Sequence, residues 1–165
     1  MSPIVVIATG GRDYPHWDRI FTTFDYIHRR SGIARIYEGG ASGADAGARQ
    51  WALDNGVPNL TFQAEWGKYG KAAGPIRNNA MLQHALRHET LPILTVAFPG
   101  GIGTAGMVEL TITAIALGYK ISLCDLREEL GRLDASTTDQ AGVHGGVDEA
   151  ARAPTDRQLG IKRAH

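Results

Sequence analysis

The sequence predicts an α/β fold: a Rossmann-like three-layer sandwich with a mostly parallel sheet of about five or more strands and helices on both faces. Two observations predict it. Short β-branched or apolar runs alternate with stretches of helical spacing, the pattern of a parallel sheet covered on both sides. Three of those runs end in glycine turns, Gly10-Gly11, Gly39-Gly40 and Gly100-Gly101, which this topology brings to one sheet edge, where such folds bind ligands.

Each element follows from its residues. Pro3 to Ala8 is a β-branched run suited to a buried strand, and Thr9 to Asp13 is a turn. From His16 to Arg30, Trp17, Ile20, Phe21, Phe24 and Ile27 keep helical spacing, and Gly32 closes the helix. Ile33 to Tyr37 is a second strand, and Gly39 to Gly43 a second glycine turn. Ala44 to Asp54 is a helix of small residues closed by Asn55-Gly56, and Asn59 to Phe62 a weak third strand. Gln63 to Gly74 reads as an irregular polar flap carrying Trp66 and Tyr69. Pro75 suits a first helical position, with a helix from Ile76 to His88. Pro92 to Phe98 is the fourth strand, and Gly103 to Leu117 a helix apolar around its circumference, expected to be deeply buried. Gly118 ends it, and Lys120 to Cys124 is a fifth strand. After Glu129 large apolar residues become scarce. Residues 1–128 are therefore expected to form the ligand-binding domain, and residues 129–165 a disordered or peripheral tail.

Composition narrows the function. With 165 residues, 43% of them apolar, the chain can bury a core as one domain. The formal net charge of zero and the absence of a basic stripe count against nucleic acid, and no long apolar segment suggests a membrane. A soluble cytoplasmic protein is expected. The single cysteine, Cys124, reads as a small core residue. The 21 glycines cluster after apolar runs, which suggests loops shaped around a ligand.

The stretch Val96 to Leu110 is the centre of that expectation. A strand breaks at Pro99-Gly100-Gly101 and becomes a helix after Gly103, so free helix N–H groups face whatever sits there and favour an anion. Thr104 stands where an N-cap or a phosphate-contacting hydroxyl is wanted. Without a ligand the same residues would make only a tight strand–helix turn. Arg12 is either a bidentate phosphate partner or a surface arginine. Arg77, followed by Asn78, opens a helix at the end the dipole disfavours for a cation, a misfit that points to function. Glu38 and Asp45 flank the second glycine turn; either carboxylate could act, and an acid in a first helical turn also simply stabilises it. Glu109 needs a partner or a polar cavity. Trp66 and Tyr69 either stack on a base or sugar or pin the flap to the core. His84 and His88 share a helix face, but no acidic or cysteine ligand accompanies them, so neither a metal nor a cofactor is expected.

Four ordered motifs carry a resemblance: Ala8 to Tyr14 (ATGGRDY), Glu38 to Asp45 (EGGASGAD), Gly74 to Asn78 (GPIRN) and Phe98 to Thr104 (FPGGIGT). Together they resemble the cpYpsA-related branch of the SLOG superfamily, which also holds the Lonely Guy phosphoribohydrolases and the DNA-processing protein A fold. The resemblance spans residue 3 to about residue 124 and implies a Rossmann-like sheet with a nucleotide, a nucleotide-sugar or a related phosphorylated molecule at its glycine-rich edge. It is also compatible with a homodimer, or a larger homo-oligomer, that packs helices beside the site.

The ligand-binding set is then Gly10, Gly11, Arg12, Gly39, Gly40, Ser42, Asp45, Arg77, Asn78, Pro99, Gly100, Gly101, Gly103 and Thr104. Arg77 matches the arginine of the Lonely Guy enzymes. Their glutamate, three residues after the motif threonine, falls here on Met107, which cannot handle a proton. Sensor or carrier binding is therefore the leading expectation. The alternatives are N-glycosidic hydrolysis, with Arg77, Asp45 and Glu38 as catalytic candidates, and single-stranded DNA binding.

Overall fold

A computed structural model describes residues 2–128 together with the backbone of residues 161–162. The strands are β1 (Ile4–Thr9), β2 (Ile33–Glu38), β3 (Asn59–Thr61), β4 (Ile93–Ala97), β5 (Ile121–Asp125) and β6 (Ile161–Lys162). The helices are α1 (Trp17–Ser31), α2 (Ala44–Asp54), α3 (Trp66–Tyr69), α4 (Ala73–His88) and α5 (Ile102–Ala116). The sheet order is β3-β2-β1-β4-β5-β6; the first five strands are parallel, and β6 adds an antiparallel edge against β5. The α/β architecture is the expected one. Apart from β6, the tail assigned to residues 129–165 lies outside the described residues.

Alternation along β1 explains the three layers. Val6 and Ala8 face a cluster built with Ile20, Phe24 and Ile27 of α1 and Ala48 and Trp51 of α2. Val5 and Ile7 face the opposite cluster, with Met81, Leu82 and Ala85 of α4 and Met107 and Ala114 of α5. A central strand buried on both faces must be apolar throughout, which is why β1 reads as a continuous run. On the first face the rings of Phe24 and Trp51 meet edge-on at 5.5 Å, and Cys124 joins this core as expected.

Three expectations change. The flap is not irregular throughout: it holds α3 and a 3₁₀ turn, Gly70–Ala72. The helix expected from Ile76 begins at Ala73, so Pro75 is its third residue. The first helical N–H groups have no intrahelical acceptor, so proline removes nothing there. Finally, α5 is not deeply buried all round. Thr104, Met107, Val108, Thr111 and Ala114 face inward, whereas Ile102 is 94% and Leu117 72% exposed. Apolar composition around a helix does not supply a second covering layer, and among the described residues α5 packs chiefly on the sheet and α4.

The topology sets the site. Strand order reverses between β1 and β4, whose carboxyl ends stand side by side at Thr9 and Ala97. A crevice outside the strand ends at such a switch point is where open α/β sheets place ligands.

Candidate functional site

The three glycine turns meet at this edge and are stitched to one another. Gly11 N donates to Pro99 O at 2.9 Å, and Ala44 N donates to Gly11 O at 3.1 Å. Trp17, from α1, donates its indole N–H to Gly43 O at 3.1 Å.

The glycines divide into two kinds. A Cβ on Gly10 would lie 2.5 Å from Ala44 Cβ and 3.0 Å from Phe98 Cβ, and one on Gly100 would lie 2.6 Å from Gly11 N. Gly43 combines a φ of +68° with backbone of the first turn against its Cα. These positions are glycine because the turns press on one another. Around Gly101, Gly103 and Gly106 nothing lies within 4 Å of the missing Cβ. Those of the second kind open into a cleft of 1260 Å³.

Gly101 is the N-cap of α5 and supplies no side chain. Thr104 is the third helical residue, buried with its hydroxyl beside Gly100, so it does not serve as the expected cap; the residue lines the cleft. Among the described residues no protein acceptor takes the N–H groups of Ile102, Gly103 and Thr104. The positive end of a 15-residue helix is therefore uncovered at the cleft.

Arg77 reaches the cleft from the first turns of α4. Its Nη1 donates to Gly39 O, in a short contact, and to Phe62 O at 3.3 Å, while its Nε donates to Asn78 Oδ1 at 2.8 Å. Asn78 in turn donates through Nδ2 to Gly103 O at 3.0 Å, so one buried amide fixes both Arg77 and the start of α5. Burial holds the Arg77 guanidinium below its ordinary pKa, and the nearby charge of Arg12 acts in the same direction. The Arg12 guanidinium lies over the ring of Trp66, 4.6 Å from its centroid. Neither arginine forms an ion pair with a carboxylate among the described residues.

The two acids differ sharply. Asp45, 5% exposed, lines the cleft and accepts from Ala41 N at 3.2 Å. Burial above all, helped by the charge of Glu38, pushes its carboxyl up to about 6, against the N–H groups of Ala41 and Gly39 and the charge of Arg77. Glu38 is fully buried and lies outside the cleft lining. Burial alone would raise it, but hydrogen bonds from Thr61, Arg49, Asn59 and Gly40 N outweigh that and hold it below the usual range. With Gly40 N at 2.6 Å, Asn59 Nδ2 at 3.0 Å and Arg49 Nε at 3.3 Å, its oxygens are occupied in holding the second turn to β3 and α2.

Of the expected ligand-binding residues, Gly10, Gly11, Arg12, Gly39, Asp45, Arg77, Asn78, Pro99, Gly100, Gly101, Gly103 and Thr104 line the cleft. Gly40 and Ser42 do not: Gly40 abuts the Gln63 side chain, and Ser42 donates to Arg12 O at 3.0 Å on the outer side. Met107 is buried against the sheet, and Glu109 instead stands exposed at the rim. Trp66, for which the sequence leaves a base- or sugar-stacking role open, lines the cleft as well, as do Lys71 and Tyr14, which lie outside the expected ligand-binding set. Lys71 carries no positional signal in the sequence, because the helical order of α3 and the 3₁₀ turn is not legible there. Among the described residues no group of three metal-ligating side chains converges, and no helix is long and apolar enough to cross a membrane.

Residues 4–69 match the model of the YspA, cpYpsA-related SLOG family. That span runs from β1 through the first two glycine turns to the end of α3. No curated protein matches the chain.

Proposed function

We propose that this chain, whose residues 4–69 match the model of the YspA, cpYpsA-related SLOG family, binds a nucleotide, nucleotide-sugar or related phosphorylated small molecule as a sensor or carrier. One observation carries the reading: the first turn of α5, uncovered among the described residues, and the guanidinium of Arg77, which has no carboxylate ion pair among them, line the same cleft at the strand-order switch. Helix N–H groups and a guanidinium are complementary to phosphate oxygens, and each gains strength where water is excluded. The family match is consistent with a nucleotide-related ligand.

The test is a thermal-unfolding screen of nucleotides, nucleotide-sugars and sugar phosphates against wild type and Arg77→Ala. A compound at 100 times its dissociation constant stabilises the native state by about 2.7 kcal/mol, a rise of several degrees in a domain of this size. The expected result is a rise in wild type that is absent in Arg77→Ala. A rise of equal size in both proteins, or none with any compound, would refute the reading.

Asp45 supports a second reading, N-glycosidic hydrolysis. A nearly buried carboxyl titrating at about 6 beside a cleft suits a group that handles a proton or stabilises developing positive charge near neutral pH. Release of free base from a nucleoside monophosphate, lost in Asp45→Asn, would favour it. Stoichiometric binding without base release would leave the sensor reading alone.

A further inference from the structure

We propose that Trp66 is the platform on which the ligand's planar heteroaromatic ring stacks, while its phosphate lies at the first turn of α5. The inference rests on the ligand-binding reading above and narrows it to base-bearing compounds. Three features of Trp66 carry it. Its indole lines the cleft yet remains 46% exposed. Its position is fixed, with the Arg12 guanidinium 4.6 Å from the ring centroid and Gly74 beneath the ring edge, where a Cβ would come within 3.3 Å of Cη2.

Thirdly, the indole has no internal employment. The N–H of Trp17 goes to Gly43 O at 3.1 Å and that of Trp51 to Asp25 Oδ1 at 2.8 Å. Among the described residues Trp66 has neither an acceptor for its N–H nor an aromatic neighbour. Among the described residues its ring-face partner is the Arg12 guanidinium, and the side chain still remains 46% exposed. Stacking on an aromatic face tolerates any base, because every base has a π-face.

Size agrees. The cleft's 1260 Å³ exceeds the ~300–1,000 Å³ usual for drug-sized ligands, leaving room for a base, a sugar and a phosphate together. Tyr69 provides an internal control. It belongs to the same helix, is 40% exposed and has a cation, Lys68 Nζ, 4.9 Å from its ring centroid, but it does not line the cleft.

The experiment titrates the full chain with AMP, GMP, ADP-ribose and ribose 5-phosphate, in wild type and in Trp66→Ala, Trp66→Phe and Tyr69→Ala. The expected result is that a base-bearing compound binds more tightly than ribose 5-phosphate. Trp66→Ala then weakens it roughly 5- to 150-fold, the range that base–aromatic stacking carries. Ribose 5-phosphate is unaffected, Trp66→Phe restores most of the loss, and Tyr69→Ala changes nothing. Equal weakening of all compounds by Trp66→Ala, or none, overturns the platform and leaves the binding reading standing. No binding of any compound by wild type overturns both. Should Trp66→Ala fail to fold, indole fluorescence decides. Quenching by the base-bearing compound that ribose 5-phosphate does not produce, and that Trp66→Phe abolishes, supports the platform; its absence overturns it.

Discussion

Gly103→Ala and Gly10→Ala should have opposite effects on stability. Gly103 is the second residue of α5, its φ lies outside the left-handed region, and nothing lies within 4 Å of a Cβ placed there. Alanine restricts the unfolded chain and suits the helix, a gain of about 0.5–1 kcal/mol. That raises the midpoint by roughly 1–4 °C for a domain of this size. A Cβ on Gly10 meets Ala44 Cβ at 2.5 Å and Phe98 Cβ at 3.0 Å. Both neighbours are fixed in the core, so the turns must separate, at a cost of about 1–3 kcal/mol and a fall of roughly 2–12 °C. The assay is thermal unfolding followed by far-ultraviolet circular dichroism, with and without a ligand from the screen. Gly103→Ala should be the more stable protein alone yet show a smaller ligand-induced rise, because the new methyl group occupies ligand space. A Gly103→Ala protein that melts below wild type, or a Gly10→Ala protein that melts with it, would refute the division of the glycines.

Two further outcomes concern the acids. Glu38→Gln removes a charge that several donors hold, and should destabilise the protein by about 1–3 kcal/mol at pH 7. Because the folded pKa of Glu38 is depressed, its stabilising contribution is present above the unfolded value near 4.3 and is lost as pH falls through the lower folded value. Denaturant unfolding from pH 7 to pH 3 should show the two proteins converging; a constant gap would contradict this. Asp45 has the opposite sign. Its pKa is raised from 3.8 to about 6, so its contribution is fully present below pH 3.8 and is lost as pH rises through about 6. Asp45→Asn should therefore be more stable than wild type by about 3 kcal/mol at pH 8 and indistinguishable from it near pH 3.5, as the same unfolding series reads out.

The sheet was legible because its signals are redundant. β1 is buried on both faces, so nearly every residue in it is apolar, and α2 was located at Ala44–Asp54 because glycines bracket it. What sequence hides is which way a residue faces once packed. Gly10 and Gly103 look alike in a motif, yet one holds two turns together and the other opens to the cleft. Glu38 and Asp45 flank the same turn, but the end of β2 directs Glu38 toward Arg49, Asn59 and Thr61, while α2 directs Asp45 to the cleft. Trp66 belonged to a segment whose glycines and lysines read as irregular, although α3 and the 3₁₀ turn order it. These outcomes depend on contacts distant in sequence, and no local period encodes them.

Asp45 also links binding to protons, with a sign that follows from its surroundings. Its carboxyl is balanced between burial, which favours the neutral form, and the N–H groups of Ala41 and Gly39 together with the charge of Arg77, which favour the anion. A phosphate bound against Arg77 and α5 adds negative charge and draws on the same guanidinium. Both effects disfavour the carboxylate, so the pKa of Asp45 should rise above 6 on binding. Calorimetric titration at pH 6.5 in buffers of different ionisation enthalpy should then show net proton uptake by wild type. The phosphate's own second ionisation lies near 6 and contributes to the same measurement, so the diagnostic quantity is the difference from Asp45→Asn. Uptake that is greater in wild type, and an affinity that falls more steeply above pH 6 than in the variant, are the expected results. Equal proton linkage in the two proteins would mean that the ligand's charge lies away from Asp45, which would remove the phosphate from the Arg77 end of the cleft.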